Sequence, residues 1–364
     1  MDERIQHHAR VLVHYSVAAQ SREVVMIDGP VAAEPLVVAA HEQLLRAGAY
    51  PSVRIVPETC GVNGLQYGRA HHLDEVNPLE RAIARQAAGF IRIMGATNTR
   101  ALGAVDPQRQ ARVAQATRTL RQIVLKKKWV LTLHPTAAYA QDADMATDAF
   151  ADFVYTACRA DEPDPLRAWR EQERRQQKLV QRLQRGSQIR IVGPDTDLTL
   201  AITGRTFINS CGKHNMPCGE VFTGPLENSA NGHITYDYPV VHAGREVSGI
   251  RLVFRQGRVV DASAEKNEAF LLRMLDMDPG ARRLGELGIG THYGITKFIK
   301  NILFDEKIGG TIHLALGQSY TETGGRNRSA LHWDMIKDLR RGGALYLDGK
   351  LLQKDGKFVK GIGL

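Results

Sequence analysis

Apolar positions in the first half of the chain alternate between two periods. Helical spacing over 3–20 gives way to a short β-branched run, EVVMIDG (23–29), closed by Gly29 and Pro30. Residues 31–48 return to helical spacing and stop at Gly48, a residue suited to the position after a helix. The same exchange repeats: strand 51–57, helix 77–89, strand 90–98, helix 107–127 with Pro107 at its start, and strand 129–135. Strand–helix alternation with apolar strands predicts a parallel sheet with helices on both faces, an α/β N-terminal domain.

A long helix is predicted over 164–186, with Pro165 at its first turn and Gly186 just past its end. Beyond it the pattern changes to strand-like segments (QIRIVG, DLTLAI, RLVFRQGRVV, GTIHLALG) separated by Gly-rich turns. This reads as a mixed α+β second domain. The expected division is 1–186 and 187–364.

Composition narrows the picture. No apolar run reaches the roughly 18–20 residues that span a bilayer, and MDERIQHHAR lacks the apolar stretch of a secretory signal. The four cysteines are too few for a disulfide framework in a chain of 364 residues, so a reduced, cytoplasmic setting is expected. The net charge of +9 raises nucleic acid as a partner. However, the basic stretches at 126–128 and 167–185 are neither long one-sign tracts nor interleaved with aromatics, and read as solvated surface.

Chemistry gathers in the second half, where five polar residues sit in apolar or glycine-rich company: Glu220, Glu286, His313, His332 and Asp334. A carboxylate in such surroundings is costly unless paired, protonated or bound to metal. In an extended segment His332 and Asp334 would project together, and Thr311, His313 and Ala315 would share a face with room for an ion. Two imidazoles and three carboxylates suit zinc, cobalt, manganese or magnesium better than thiolate-preferring ions, and one bridging carboxylate would let five ligands serve two metals. The competing reading pairs each Glu with an arginine such as Arg282 or Arg283 and makes each His a satisfied core residue. HExxH, GxSxG and nucleotide-loop patterns are absent. Cys211, His214 and Cys218 do not have the spacing of a recognised zinc finger. His7, His8, His71 and His72 read as surface or loop residues.

The segments NMPCGEVFTGP, GELGIGT, LFDEKIGGTIHLALGQSY, ETGGRNRSALHWDMI and DGKLLQKDGKF resemble the aminopeptidase T, aminopeptidase S and PepS family of metallo-aminopeptidases. AGAYPSV, HPTAAYAQDADM, DFVYTAC and GSQIRIVGPDTDLTLAI extend the resemblance over essentially the whole chain. It implies removal of N-terminal residues from peptides with a free N-terminus, using two divalent ions, zinc foremost. It also implies a homodimer. The family's metal-binding glutamates match Glu220 and Glu286, its histidines His313 and His332, and its aspartate Asp334; a characteristic tyrosine matches Tyr320. Two positions depart from the family's pattern: Cys218 stands where aspartate is usual, and His292 where asparagine is frequent. Within this reading Tyr320 would donate a hydrogen bond to the tetrahedral oxyanion. Glu286 would be the general base if it is not fully committed as a bridging ligand. The alternatives are a basic nucleic-acid-binding protein with a nuclease-like metal site, supported by charge alone, and a family member that kept the fold but lost activity.

Overall fold

The computed structural model describes residues 2–242 and 244–361. The chain forms two compact units. One comprises 1–170 and 212–217, the other 171–211 and 218–364, so the division falls inside the helix Pro165–Leu183, ahead of the change of character at 186.

The first unit is built on a five-stranded parallel sheet, in the order Tyr50–Val56, Val24–Pro30, Gly89–Met94, Lys128–Leu133 and Asn215–Met216. Its central strands are the apolar runs, with Val25, Ile27, Ile91, Val130 and Leu133 all buried. The fifth strand is too short to leave a periodic signal. Several helices differ from expectation. The first is α-helical over Glu3–Val11, where the Asp2 carboxylate caps the Arg4 N–H, and then widens over Leu12–Ser16, where Val17 N–H reaches Leu12 C=O. The helix expected over 107–127 is two, Pro107–Ala116 and Arg118–Leu125. At the join the Thr117 hydroxyl donates back to the Val113 carbonyl at 2.8 Å, the contact by which a mid-helix threonine bends a helix. His8 is not a surface residue: it is fully buried, with Nε2 2.8 Å from the Thr132 hydroxyl, and burial together with nearby His134 lowers its pKa to about 3.

The second unit holds two large antiparallel sheets and a two-stranded ribbon, Val240–His242 with Arg245–Val247. The larger runs in the order Arg258–Ser263, Arg251–Arg255, Asn231–Thr235, Thr196–Ala201, Gln188–Gly193, Ala344–Leu347, Lys350–Lys354 and Lys357–Phe358. The smaller runs in the order His332–Asp338, Thr311–Gly317, Leu284–Gly290, Glu220–Thr223 and Ile208–Ser210. A single apolar cluster takes side chains from both, among them Ile189, Leu198, Leu252, Leu287, Ile312, Leu314 and Met335. The α/β class and the mixed second domain expected from the sequence are the observed architecture.

Candidate metal centre

The smaller sheet has one apolar and one polar face, and strand alternation sorts them. Val221, Leu287, Ile289, Ile312, Leu314, Leu316, Trp333 and Met335 enter the core. Their neighbours in the strands therefore point the other way. Registers Gly290↔Glu220, Gly288↔His313, Ala315↔Asp334 and Gly317↔His332 put four of the expected residues on that second face, opposite glycine or alanine. Glu286 joins them by the same alternation, opposite Ala315 and one residue from Leu287 in the core. A β-bulge just before it, at Gly285, returns Leu284 to the core opposite Leu316. Glycine is required at 288, where an added Cβ would sit 2.0 Å from the His313 ring.

The five residues converge. The His313 Nε2 atom lies 3.4 Å from Glu286 Oε1 and 3.6 Å from Glu220 Oε2; His332 Nε2 lies 3.5 Å from both Glu286 Oε2 and Asp334 Oδ2. Each oxygen of Glu286 thus faces a different imidazole. The ligand atoms form overlapping groups: Glu220–Glu286–His313, Glu286–His332–Asp334 and Glu306–His313–Asp334, each within 4.8 Å. His332 Nδ1 donates to the Gln318 carbonyl at 2.9 Å, which fixes the tautomer and leaves the Nε2 lone pair facing the carboxylates.

Two neighbours left no signal in the sequence reading. Glu306 and Lys307 sit in the crossing segment after the short helix Ile302–Asp305. Lys307 is fully buried, 2.7 Å from Glu220 Oε1 and in contact with the Glu306 carboxylate. An acid followed by a lysine normally reads as exposed surface. A further contributor, Gln176 of the long helix, is buried and donates to the Glu220 and Ser210 carbonyls, tying the Glu220 strand to its neighbour. Neither Arg282 nor Arg283 pairs with Glu220 or Glu286. Arg282 binds Asp276 and the Val259 carbonyl, and Arg283 reaches the Glu227 carbonyl.

The electrostatics follow from this crowding. Four carboxylates face one buried ammonium. Burial raises the pKa of Glu220 against the opposing pull of Lys307, and burial together with Glu306 raises that of Asp334 to about 6. Burial would also favour neutral His313, but the hydrogen bond to Glu286 and the charges of Glu220, Glu306 and Glu286 outweigh it and raise its pKa to about 10. For Glu306, Lys307 and His313 overcome burial and keep the carboxylate ionised. Three buried atoms of these residues have no hydrogen-bond partner: Glu220 Oε2, Asp334 Oδ1 and His313 Nδ1. Unpaired buried oxygens among excess negative charge are the surroundings a hard or borderline divalent cation requires, so the donor set fits.

The remaining sequence candidates fall around this set. Tyr320 sits edge-on to His332, ring centroids 5.4 Å apart, and keeps 44% of its surface open. Desolvation, with Glu286, Asp334, Glu306 and Glu220 adding to it, raises its pKa and keeps the phenol protonated. Cys218 is buried with Sγ 3.0 Å from the Ser210 hydroxyl. His292 is buried, and its Nδ1 accepts from the Gly294 N–H at 3.1 Å. Neither belongs to a ligand group, and Cys211, His214 and Cys218 form none among the described residues.

The sequence matches the profile of the thermophilic metalloproteases designated M29 over residues 1–358. The chain belongs to the M29 metalloprotease family. It is 30% identical over 355 residues to "Aminopeptidase 2" of Geobacillus stearothermophilus, an alignment covering 88% of this chain and 84% of that one. It is 34% identical over 186 residues to "Aminopeptidase T" of Thermus thermophilus, covering 46% and 45% of the two chains. The solved structure of wild-type AmpT from Thermus thermophilus superposes with a TM-score of 0.85 at 24% identity, covering 98% of this chain and 99% of that one, and so shares its fold. Among the described residues no helix is long and apolar enough to cross a membrane.

Proposed function

We propose that this M29 protein is an aminopeptidase that hydrolyses the first peptide bond of substrates with a free N-terminus. Its second unit would be catalytic and hold two divalent ions, zinc foremost. The observation that carries the reading is Glu286, whose two oxygens face two separate histidines between overlapping ligand groups. In this reading Glu220, Glu286, His313, His332 and Asp334 hold the ions, with Glu306 within reach. A bound pair of divalent ions supplies Lewis acidity and lowers the pKa of water, the chemistry of dinuclear hydrolases.

The chain's own side chains divide the remaining tasks. Tyr320, protonated at neutral pH, donates its hydroxyl to the oxygen that gains charge as the carbonyl becomes tetrahedral. Glu286 spans two imidazoles, which leaves it poorly placed to carry a proton. Glu306, ionised beside Lys307, then takes the general-base role. The apolar face of the sheet keeps the geometry fixed from behind. The nuclease-like and catalytically silent alternatives gain no support from this site. A homodimer in the cytoplasm completes the reading. The test is hydrolysis of leucyl-p-nitroanilide by protein dialysed against chelator and then reloaded with zinc, cobalt or manganese. Loss on chelation, recovery on reloading and no cleavage of the N-acetylated substrate are expected; full activity without metal, or equal cleavage of the acetylated substrate, overturns the proposal.

A further inference from the structure

We infer that the cavity flanking His332 and Asp334 receives the side chain of the substrate's N-terminal residue and selects large apolar ones. The inference rests on the aminopeptidase reading and gives it a substrate class. The cavity measures about 370 Å³ and has His332 and Asp334 on its boundary. That is near the lower end of small-ligand pockets, roughly 300–1,000 Å³, so it suits one large side chain rather than a length of peptide.

Three elements form its walls: the ribbon of strands Val240–His242 and Arg245–Val247, the segment 298–305, and the strand His332–Asp338. Val240, Val241, Phe298, Ile302 and Ile336 line it with apolar surface. Val241 and Ile302 are half exposed there (50% and 49%), apolar area that a ligand side chain would cover. The walls are braced. Phe298 stacks on Tyr238 at 4.5 Å, the Tyr238 hydroxyl donates to Asp338 at 2.8 Å, and the Asp305 carboxylate accepts from the Ile299 N–H at 2.8 Å. The charged lining residues give no net preference for a charged guest. Glu246 is paired with Lys266 at 2.8 Å, Asp305 is turned to its own loop, and Lys300 is of opposite sign.

Position sets the substrate's direction. One end of the ligand set is closed by the buried ammonium of Lys307 against Glu220 and Glu306; the other carries Glu286, His332 and Asp334. Of the proposed ligands only His332 and Asp334 also line the cavity, so a free α-amine held at that second end stands at its mouth. The side chain on the adjoining Cα then lies beside Asp334, where the cavity opens.

The test uses the zinc-loaded full chain and aminoacyl-p-nitroanilides of Leu, Phe, Ala and Lys, with Leu-Ala and Ala-Leu dipeptides. Wild-type protein should prefer Leu and Phe over Ala in kcat/KM. Val241→Trp, which fills the cavity, should lower the Leu:Ala ratio at least about tenfold, the scale of discrimination an apolar pocket provides. Ile302→Asp should lower it comparably and raise the Lys:Leu ratio, with zinc content equal to wild type. Unchanged ratios in both variants overturn the inference, as does a change that follows the second residue of the dipeptides. If wild-type protein cleaves Ala and Leu substrates while the ratios stay fixed, the aminopeptidase reading stands and the subsite assignment fails. If it cleaves none, both fall.

Discussion

Replacing Lys307 by methionine tests how the centre is held together before any ion binds. The ammonium lies 2.7 Å from Glu220 Oε1 and also touches Glu306, with no exposed surface of its own. At an effective dielectric constant of about 20, Coulomb attraction to Glu220 alone is roughly 6 kcal/mol. Methionine fills similar volume and avoids desolvating an ammonium, which returns part of that energy. Breaking a buried pair by removing one partner typically leaves a net loss of about 3–5 kcal/mol, because the other charge stays buried. In chelator, that loss corresponds to a fall of roughly 6–20 °C in the midpoint of the second unit's unfolding. With saturating zinc the deficit should narrow, since a cation bound through Glu220 Oε2 supplies the missing positive charge and ligand binding to the native state adds stability. Thermal unfolding of wild type and Lys307→Met, each with chelator and with zinc, measures both differences. A variant within about 1 kcal/mol of wild type in chelator, the size expected of a surface substitution, would refute the reasoning.

Four other variants probe separate links. Tyr320→Phe should lower kcat by roughly 100- to 1,000-fold, the cost of one oxyanion donor, with metal content and thermal midpoint nearly unchanged, whereas His332→Ala should lose metal along with activity, as elemental analysis and anilide assays will show. Gly288→Ala should displace the His313 ring, destabilise the fold by about 1–3 kcal/mol and weaken zinc binding; wild-type zinc affinity by titration would show that the ring tolerates the methyl. His8, with a folded pKa of about 3, binds fewer protons folded than unfolded, so its contribution is complete above about 6.5 and is lost as pH falls towards 3. The unfolding free energy of metal-free protein from urea titration should therefore decline over that window by up to about 1.4 kcal/mol per pH unit, and His8→Gln should flatten the decline.

The clustering of five polar residues and the fold class were legible in the sequence for physical reasons. Polar residues in apolar strands stand out because burial is costly without a partner, and apolar strands between amphipathic helices leave few arrangements other than a parallel sheet. Glu306 and Lys307 escaped notice because charged neighbours in a loop are ordinarily solvated, and only the crossing of 302–310 over the sheet buries them. His8 was misread because one histidine in a polar heptad carries no trace of the Thr132 hydroxyl that receives it. Helix breaks such as Thr117 depend on a single side-chain hydrogen bond, too local for periodicity to reveal. The bulge at Gly285, which returns Leu284 to the core, was equally hidden.

That bulge and the alternation around it bear on how such a centre tolerates change. Five of its acidic and imidazole groups lie on four adjacent strands of one sheet, spread over 115 positions from 220 to 334. Lengthening or shortening a connection alters the count of residues between these strands but leaves their pairing intact, although 291–310 also brings in Glu306 and Lys307 and 318–331 carries Tyr320. Sliding the last strand by a single residue leaves every loop length nearly as it was, yet turns His332 and Asp334 into the apolar core and brings Trp333 and Met335 over the carboxylates. Outside the connections that carry Glu306, Lys307 and Tyr320 the centre is therefore insensitive to insertion, and it is highly sensitive to slippage throughout. A sequence rule written as fixed gaps between ligands would miss relatives that a rule written as strand pairing would find.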